Sequence, residues 1–129
     1  MIFVDTNYFL RFLLADVSDQ HQKARILFRE AAEGKVNLFT SAIVIFETCW
    51  VLLSNYDKDK DQVAKVLNSL LDMNFIDFEH HNLLRQAVSI YKNSPLGFID
   101  AFNLLYAKAK GAKELKTFDI KLSKKFISL

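Results

Sequence analysis

Two rhythms alternate along the chain. Short apolar runs at residues 2–4, 36–39, 75–78 and 115–118 are of strand length. Between them lie longer stretches whose apolar positions recur with helical spacing, at 8–14, 19–33, 41–54, 61–73, 82–92, 98–110 and 120–126. The punctuation agrees with this division. Asp5-Thr6-Asn7 suits a strand-to-helix turn, Asp19 with Gln22 fits a capping box, and Ser41 can cap the third helix. Gly34 and Gly111 stand where helices should stop, and Ser94-Pro95 breaks the helical pattern between them. The last residues, 126–129, could add a stub of edge strand. Apolar strands alternating with helices predict an α/β fold, with a short, mostly parallel sheet covered by helices on both faces. In such folds ligands bind beyond the carboxyl ends of the strands.

Composition narrows the class without changing it. The chain has 129 residues, 51% of them hydrophobic, which predicts one domain over residues 1–129 with a substantial core. Three Gly and one Pro disfavour both disorder and an all-β fold rich in tight turns. The single cysteine, Cys49, allows no internal disulfide, and no Cys/His cluster has zinc-ligand spacing. The first residues lack a signal peptide's basic region, and no apolar window reaches membrane-spanning length. A soluble, cytoplasmic protein without membrane partners is therefore expected. The net charge is only +2, but residues 108–129 carry seven lysines against Glu114 and Asp119. A basic end of this kind can serve a phosphate-rich partner, or it can be a solvated helix face.

Four acids stand out. Asp5 follows the first strand and Asp119 the last, so in a parallel sheet both belong at the functional edge; either could also be a simple helix cap. Glu47 lies within Ala42-Ile43-Val44-Ile45-Phe46-Glu47-Thr48-Cys49-Trp50-Val51-Leu52-Leu53, a stretch apolar nearly all round. Such a helix should be buried on most sides, and a carboxylate there costs several kcal/mol unless it is paired or binds metal. A salt bridge to one of the chain's four arginines is the alternative. Asp100 raises the same question in Phe98-Ile99-Asp100-Ala101-Phe102-Asn103, with Asn103 on its helix face, although a first-turn dipole contact would also explain it. A cluster of carboxylates repels itself unless a cation is present, and oxygen-only donors suit Mg²⁺ or Mn²⁺. Such an ion polarises a phosphate and activates a bound water.

These segments resemble the motifs of the PIN-domain ribonucleases, and within them the VapC-type toxins of toxin–antitoxin pairs. Phe3-Val4-Asp5-Thr6-Asn7 is similar to the first motif, residues 41–47 with Trp50-Val51-Leu52 to the second, residues 98–103 to the third, and Leu115-Lys116-Thr117-Phe118-Asp119 to the last. The resemblance covers nearly the whole chain. It implies a PIN-like three-layer α/β/α sandwich and Mg²⁺-dependent (or Mn²⁺-dependent) cleavage of RNA. It further implies Asp5, Glu47, Asp100 and Asp119 as catalytic and metal-binding residues. Thr6, Asn7, Asn103 and Thr117 would orient them, and Lys116 and Lys121 would contact RNA phosphates. It also implies a homodimer and a cognate antitoxin. A groove lined by Tyr8, Phe9, Phe12 and Leu13 is a candidate for the antitoxin, with core packing the plainer reading of each.

Other motifs fail. Asp57-Lys58-Asp59-Lys60-Asp61 begins like a calcium loop, but Gln62 stands where Gly is needed and Asn68 where the bidentate Glu belongs, so a loop leading into a helix cap is expected. His80-His81 lacks a third ligand, His21 suits an exposed helix position, and Cys49 suits a core. Among alternative functions, a phosphoacceptor receiver domain lacks its adjacent acidic pair. A housekeeping RNA-processing nuclease and a catalytically silent RNA- or protein-binding module share the motif set.

Overall fold

A computed structural model describes residues 1–129, which form two compact units, Met1–His81 and Asn82–Leu129. The fold is α/β: mostly helical, with one short parallel sheet.

The first unit contains β1 (Ile2–Phe3), α1 (Thr6–Leu14), α2 (Ser18–Ala32), β2 (Leu38–Thr40), α3 (Ala42–Ser54), α4 (Lys60–Leu71) and β3 (Ile76–Phe78). The sheet order is β1-β2-β3, both pairs parallel, with Ile2 opposite Leu38 and Leu38 opposite Ile76. Parallel neighbours require crossover connections, which α1–α2 and α3–α4 supply. The three strands therefore end at one edge, where Asp5 and the start of α3 lie. The Thr40 hydroxyl donates to the Val4 carbonyl at 2.7 Å and ties two of these strand ends together.

Packing explains why these segments fold as they do. Phe9, Leu38, Ile45, Leu52, Leu67, Leu70, Leu71, Ile76 and Phe78 are buried. The Phe9 ring lies 5.7 Å from Phe28 and 6.3 Å from Phe78, so α1, α2 and β3 share an aromatic contact. Fully burying side chains of this size contributes roughly 1.5–3 kcal/mol each. Helix α2 ends with Gly34 at φ +80° and a bond from the Lys35 amide to the Glu30 carbonyl. This is the left-handed stop expected of that glycine.

The second unit contains most of α5 (His81–Asn93), with α6 (Phe98–Ala109) and α7 (Ile120–Ser128). Its core is Leu96, Leu104, Leu122 and Phe126, with Ile90, Ala107, Ala112 and Leu115 packed against them. The Lys108 ammonium sits 3.9 Å from the centre of the Phe126 ring. No helix of the chain is long and apolar enough to cross a membrane.

Several expectations need correction. Residues 115–118 form no strand: Leu115 packs into the second unit's core, while Phe118 is fully exposed, and the segment joins no ladder. Residues 126–129 are not an edge strand either, because amphipathic α7 continues to Ser128 and buries Phe126. Helix α2 starts at Ser18 with Val17 as its cap residue, which leaves Asp19 in the first turn, where its charge still favours the helix dipole. Helix α4 is capped by Asp59, whose carboxylate accepts from the Gln62 amide while the Asp59 amide donates to Gln62 Oε1. The calcium-like sequence is thus a capping box.

Candidate active site

The β1–α1 junction and the middle of α3 build a polar cleft in the first unit. It encloses about 370 Å³ and is lined by Asp5, Thr6, Asn7, Leu10, Arg11, Glu47, Val51, Asn55 and Tyr56. Asp5 occupies the cap position of α1 in an extended conformation, yet its carboxylate makes no cap hydrogen bond and is exposed. The plain capping explanation of Asp5 therefore fails. Thr6 begins α1 and is buried, and its hydroxyl donates to Glu47 Oε1 across 41 residues of sequence. That bond orients one oxygen of the glutamate. Asn7, next on α1, is exposed on the same cleft.

Glu47 is brought here for a different reason from the one its sequence suggested. It is exposed, as are Ile43 at 73% and Trp50 at 62% on the same helix. Helix α3 buries Ala42, Val44, Ile45, Thr48, Cys49 and Leu52 instead. A solvent-facing carboxylate pays no large desolvation cost, so burial cannot be what demands a cation at Glu47. Arginine pairing does not account for it either. Arg11 shares the cleft, but its Nη1 donates to Asp16 Oδ1 at 2.7 Å.

Arg11, Asp16 and Tyr56 form a closed set that the sequence did not single out. Arg11 Nη2 donates to the Tyr56 hydroxyl at 3.4 Å, and that hydroxyl donates to Asp16 Oδ2 at 2.9 Å. The Tyr56 bond is the largest influence holding the Asp16 carboxyl below its usual range; a desolvation effect opposes it and Arg11 assists. The three residues join the α1–α2 corner to the end of α3, a juxtaposition with no local signature. Their spacing of 5 and 40 residues belongs to no helix or strand period.

The remaining sequence-selected residues lie in the second unit. Asp100 is half-buried in the first turn of α6, whose cap residue Gly97 provides no side-chain bond, and Asn103 is exposed one turn on. Asp119 is exposed and caps α7, accepting from the Leu122 amide at 3.2 Å. The Thr117 hydroxyl accepts from the Asp119 amide at 3.0 Å, so it orders the backbone before the cap rather than the carboxylate. Lys116 is exposed and lies 3.6 Å from Glu114. Lys121 lines a 340 Å³ cavity with Ser94, Pro95, Leu96, Lys124, Lys125 and Ser128. In the proposed antitoxin groove, Phe9 is core, Phe12 and Leu13 are half-buried, and only Tyr8 is exposed. Cys49 is inert: burial pushes its thiol up to about 11.

The cleft's donors fit a hard cation. Asp5, Glu47 and the Asn7 amide are oxygen ligands in a polar setting. Two carboxylates do not make a closed cage, and no such cluster of three or more occurs in this unit. Mg²⁺ is commonly held in this open way, by one or two carboxylates with waters and substrate phosphate completing its shell.

The family described as PIN domain matches residues 2–125. A VapC ribonuclease from Aquifex aeolicus (strain VF5) is 24% identical over 124 residues, spanning 96% of this chain and 91% of the relative. No solved structure gives a significant match. The family match covers nearly the whole chain, and the fold class agrees with it. The chain belongs to the PIN domain family.

Proposed function

We propose that this PIN-domain chain is a Mg²⁺- or Mn²⁺-dependent endoribonuclease, residues 1–129 acting as one domain, and the toxin of a type II toxin–antitoxin pair. The observation that carries the reading is the cleft in which Asp5, uncommitted to capping, faces the same space as Glu47 held by Thr6. The name of the Aquifex relative supports RNA as substrate. Asp100 and Asp119 are assigned to the same chemistry by their positions in the ordered motif set.

A divalent cation, when bound, would polarise the scissile phosphate and lower the pKa of the attacking water. Asp5 and Glu47, the two carboxylates of the cleft, would hold it. Thr6 fixes one oxygen of Glu47, leaving the other to bind metal or to take the proton of the attacking water. Asn7 would orient substrate or a metal-bound water by hydrogen bonding, and Asn103 is assigned a similar role on α6. Lys116 and Lys121 would neutralise RNA phosphates, which makes binding salt-dependent. A cytoplasmic homodimer restrained by a cognate antitoxin completes the proposal.

The test is cleavage of single-stranded RNA by the wild-type chain and by Asp5→Asn and Asp100→Asn, with circular dichroism as the folding control. Both variants should lose cleavage and keep wild-type spectra. Undiminished cleavage by both would sink the reading. For the toxin role, expressing the chain should arrest growth, and co-expressing a short neighbouring reading frame should relieve it.

A further inference from the structure

A second cavity adjoins the carboxylate cleft. It encloses about 290 Å³ between α1 and α2 and is lined by Asn7, Tyr8, Arg11, Gln20 and Lys23. Asn7 and Arg11 line both spaces, so the two adjoin at these side chains. Their characters differ. The cleft is mostly polar and carries two acids beside Arg11, whereas the adjoining cavity is mostly apolar, with Lys23 and the Asp16-paired Arg11 as its cations and no carboxylate in its lining. Its aromatic residue, Tyr8, is 40% exposed and lines the cavity.

Arg11 is prepared for this position. Asp16 and Tyr56 grip its guanidinium, and the His21 ring nitrogen lies 2.9 Å from its carbonyl oxygen. A guanidinium has five N–H donors in a rigid fork, so one held at two points still offers others, with little rotamer freedom left to lose on binding. An occupant that sets a flat, largely apolar ring in this cavity and carries negative charge toward Lys23 and the neighbouring cleft, itself suited to a metal-bound phosphate, matches both spaces. Single-stranded nucleic acid has these properties: its backbone follows cations and its bases stack on exposed aromatic rings.

We propose that the Tyr8–Gln20–Lys23 cavity is the subsite for the RNA nucleotide beside the scissile phosphate. The Tyr8 ring stacks the base, Arg11 and Lys23 take the flanking phosphates, and Asn7 and Gln20 hydrogen-bond sugar or base edges. This rests on the nuclease reading. It moves part of the RNA path from the lysines around Asp119 onto α1 and α2, and it assigns Tyr8 to substrate rather than to a protein partner.

The experiment measures binding of a fluorescent single-stranded RNA of about ten nucleotides, a length within the usual range for such grooves. It uses Asp5→Asn protein to prevent cleavage, with Mg²⁺ present and salt varied. Adding Tyr8→Ala should weaken binding about tenfold, and Tyr8→Phe, which keeps the ring, should restore it. Lys23→Ala should lower the salt slope by about 0.7, the value for one phosphate contact on a single strand. In the otherwise wild-type chain, Tyr8→Ala and Lys23→Ala should raise KM and leave kcat within about twofold. Both sites are on exposed helix surface, so folding survives the changes. Unaltered RNA affinity in both variants overturns the subsite, as does weakened binding of a co-expressed partner protein with RNA affinity intact. A wild-type chain that cleaves no RNA would instead count against the nuclease reading, and the affinities would still decide the subsite.

Discussion

The Thr6–Glu47 bond allows a prediction in which orientation can be separated from stability. Thr6→Val removes the hydroxyl and keeps the branched shape in a buried position. Hydrogen bonds to charged groups contribute about 1.5–3 kcal/mol, but Glu47 is exposed and can turn to water once released, so about 1 kcal/mol is the expected loss. For a chain of this length that lowers Tm by roughly 3–5 °C and leaves the protein folded at 25 °C. Catalysis should suffer more. A carboxylate that has lost its orienting partner costs on the order of 10–100-fold in metal affinity or activity, equivalent to about 1.4–2.7 kcal/mol. The assay pairs initial rates on a single-stranded RNA across a Mg²⁺ titration with thermal melts of Thr6→Val and Thr6→Ser. Serine retains the donor and should recover most of the rate. If Thr6→Val melts lower but cleaves within twofold of wild type at all Mg²⁺ concentrations, the hydroxyl serves only the fold and Glu47 needs no alignment.

Other expectations follow from single contacts. Asp119→Ala should lose about 1 kcal/mol with the α7 cap, whereas Asp119→Asn should keep the cap; if cleavage fails in both, the carboxylate has a role beyond capping, read by melts and rates together. Chelation with EDTA should abolish cleavage and added Mg²⁺ or Mn²⁺ restore it; full activity in excess chelator would exclude the metal mechanism. Leu104→Ala, at a fully buried site, should cost about 2–5 kcal/mol, while Phe118→Ala should change stability by no more than about 0.5 kcal/mol in denaturant titrations. A large cost at Phe118 would show that its ring is buried after all. Cys49, with its thiol near 11, should resist iodoacetamide at pH 8 in the native protein and react readily in urea; rapid native labelling contradicts its burial.

Much was legible in the chain because it is local. Helical spacing, the Gly34 and Gly111 stops and the Ser41 cap are settled within a few residues of one another, where backbone geometry and short side-chain bonds act. The alternation of apolar strands with helices fixed the α/β class, since parallel strands need crossovers. The four acids were singled out by type and place, Asp5 by its position at a strand end, and two of them, Asp5 and Glu47, line one cleft. What failed were inferences about surroundings. Residues 115–118 had a strand's composition, but a strand exists only where a ladder partner is available, and here Leu115 is taken up by a helical core instead. Glu47 was expected to be buried because its neighbours are apolar. Composition does not reveal which face a helix turns inward, and α3 leaves Ile43 and Trp50 in solvent beside it. The Thr6–Glu47 bond and the Arg11–Asp16–Tyr56 set join residues far apart in sequence. Hydrogen bonds reach only about 3 Å, so such partners are chosen by how helices pack, and tertiary structure alone decided them.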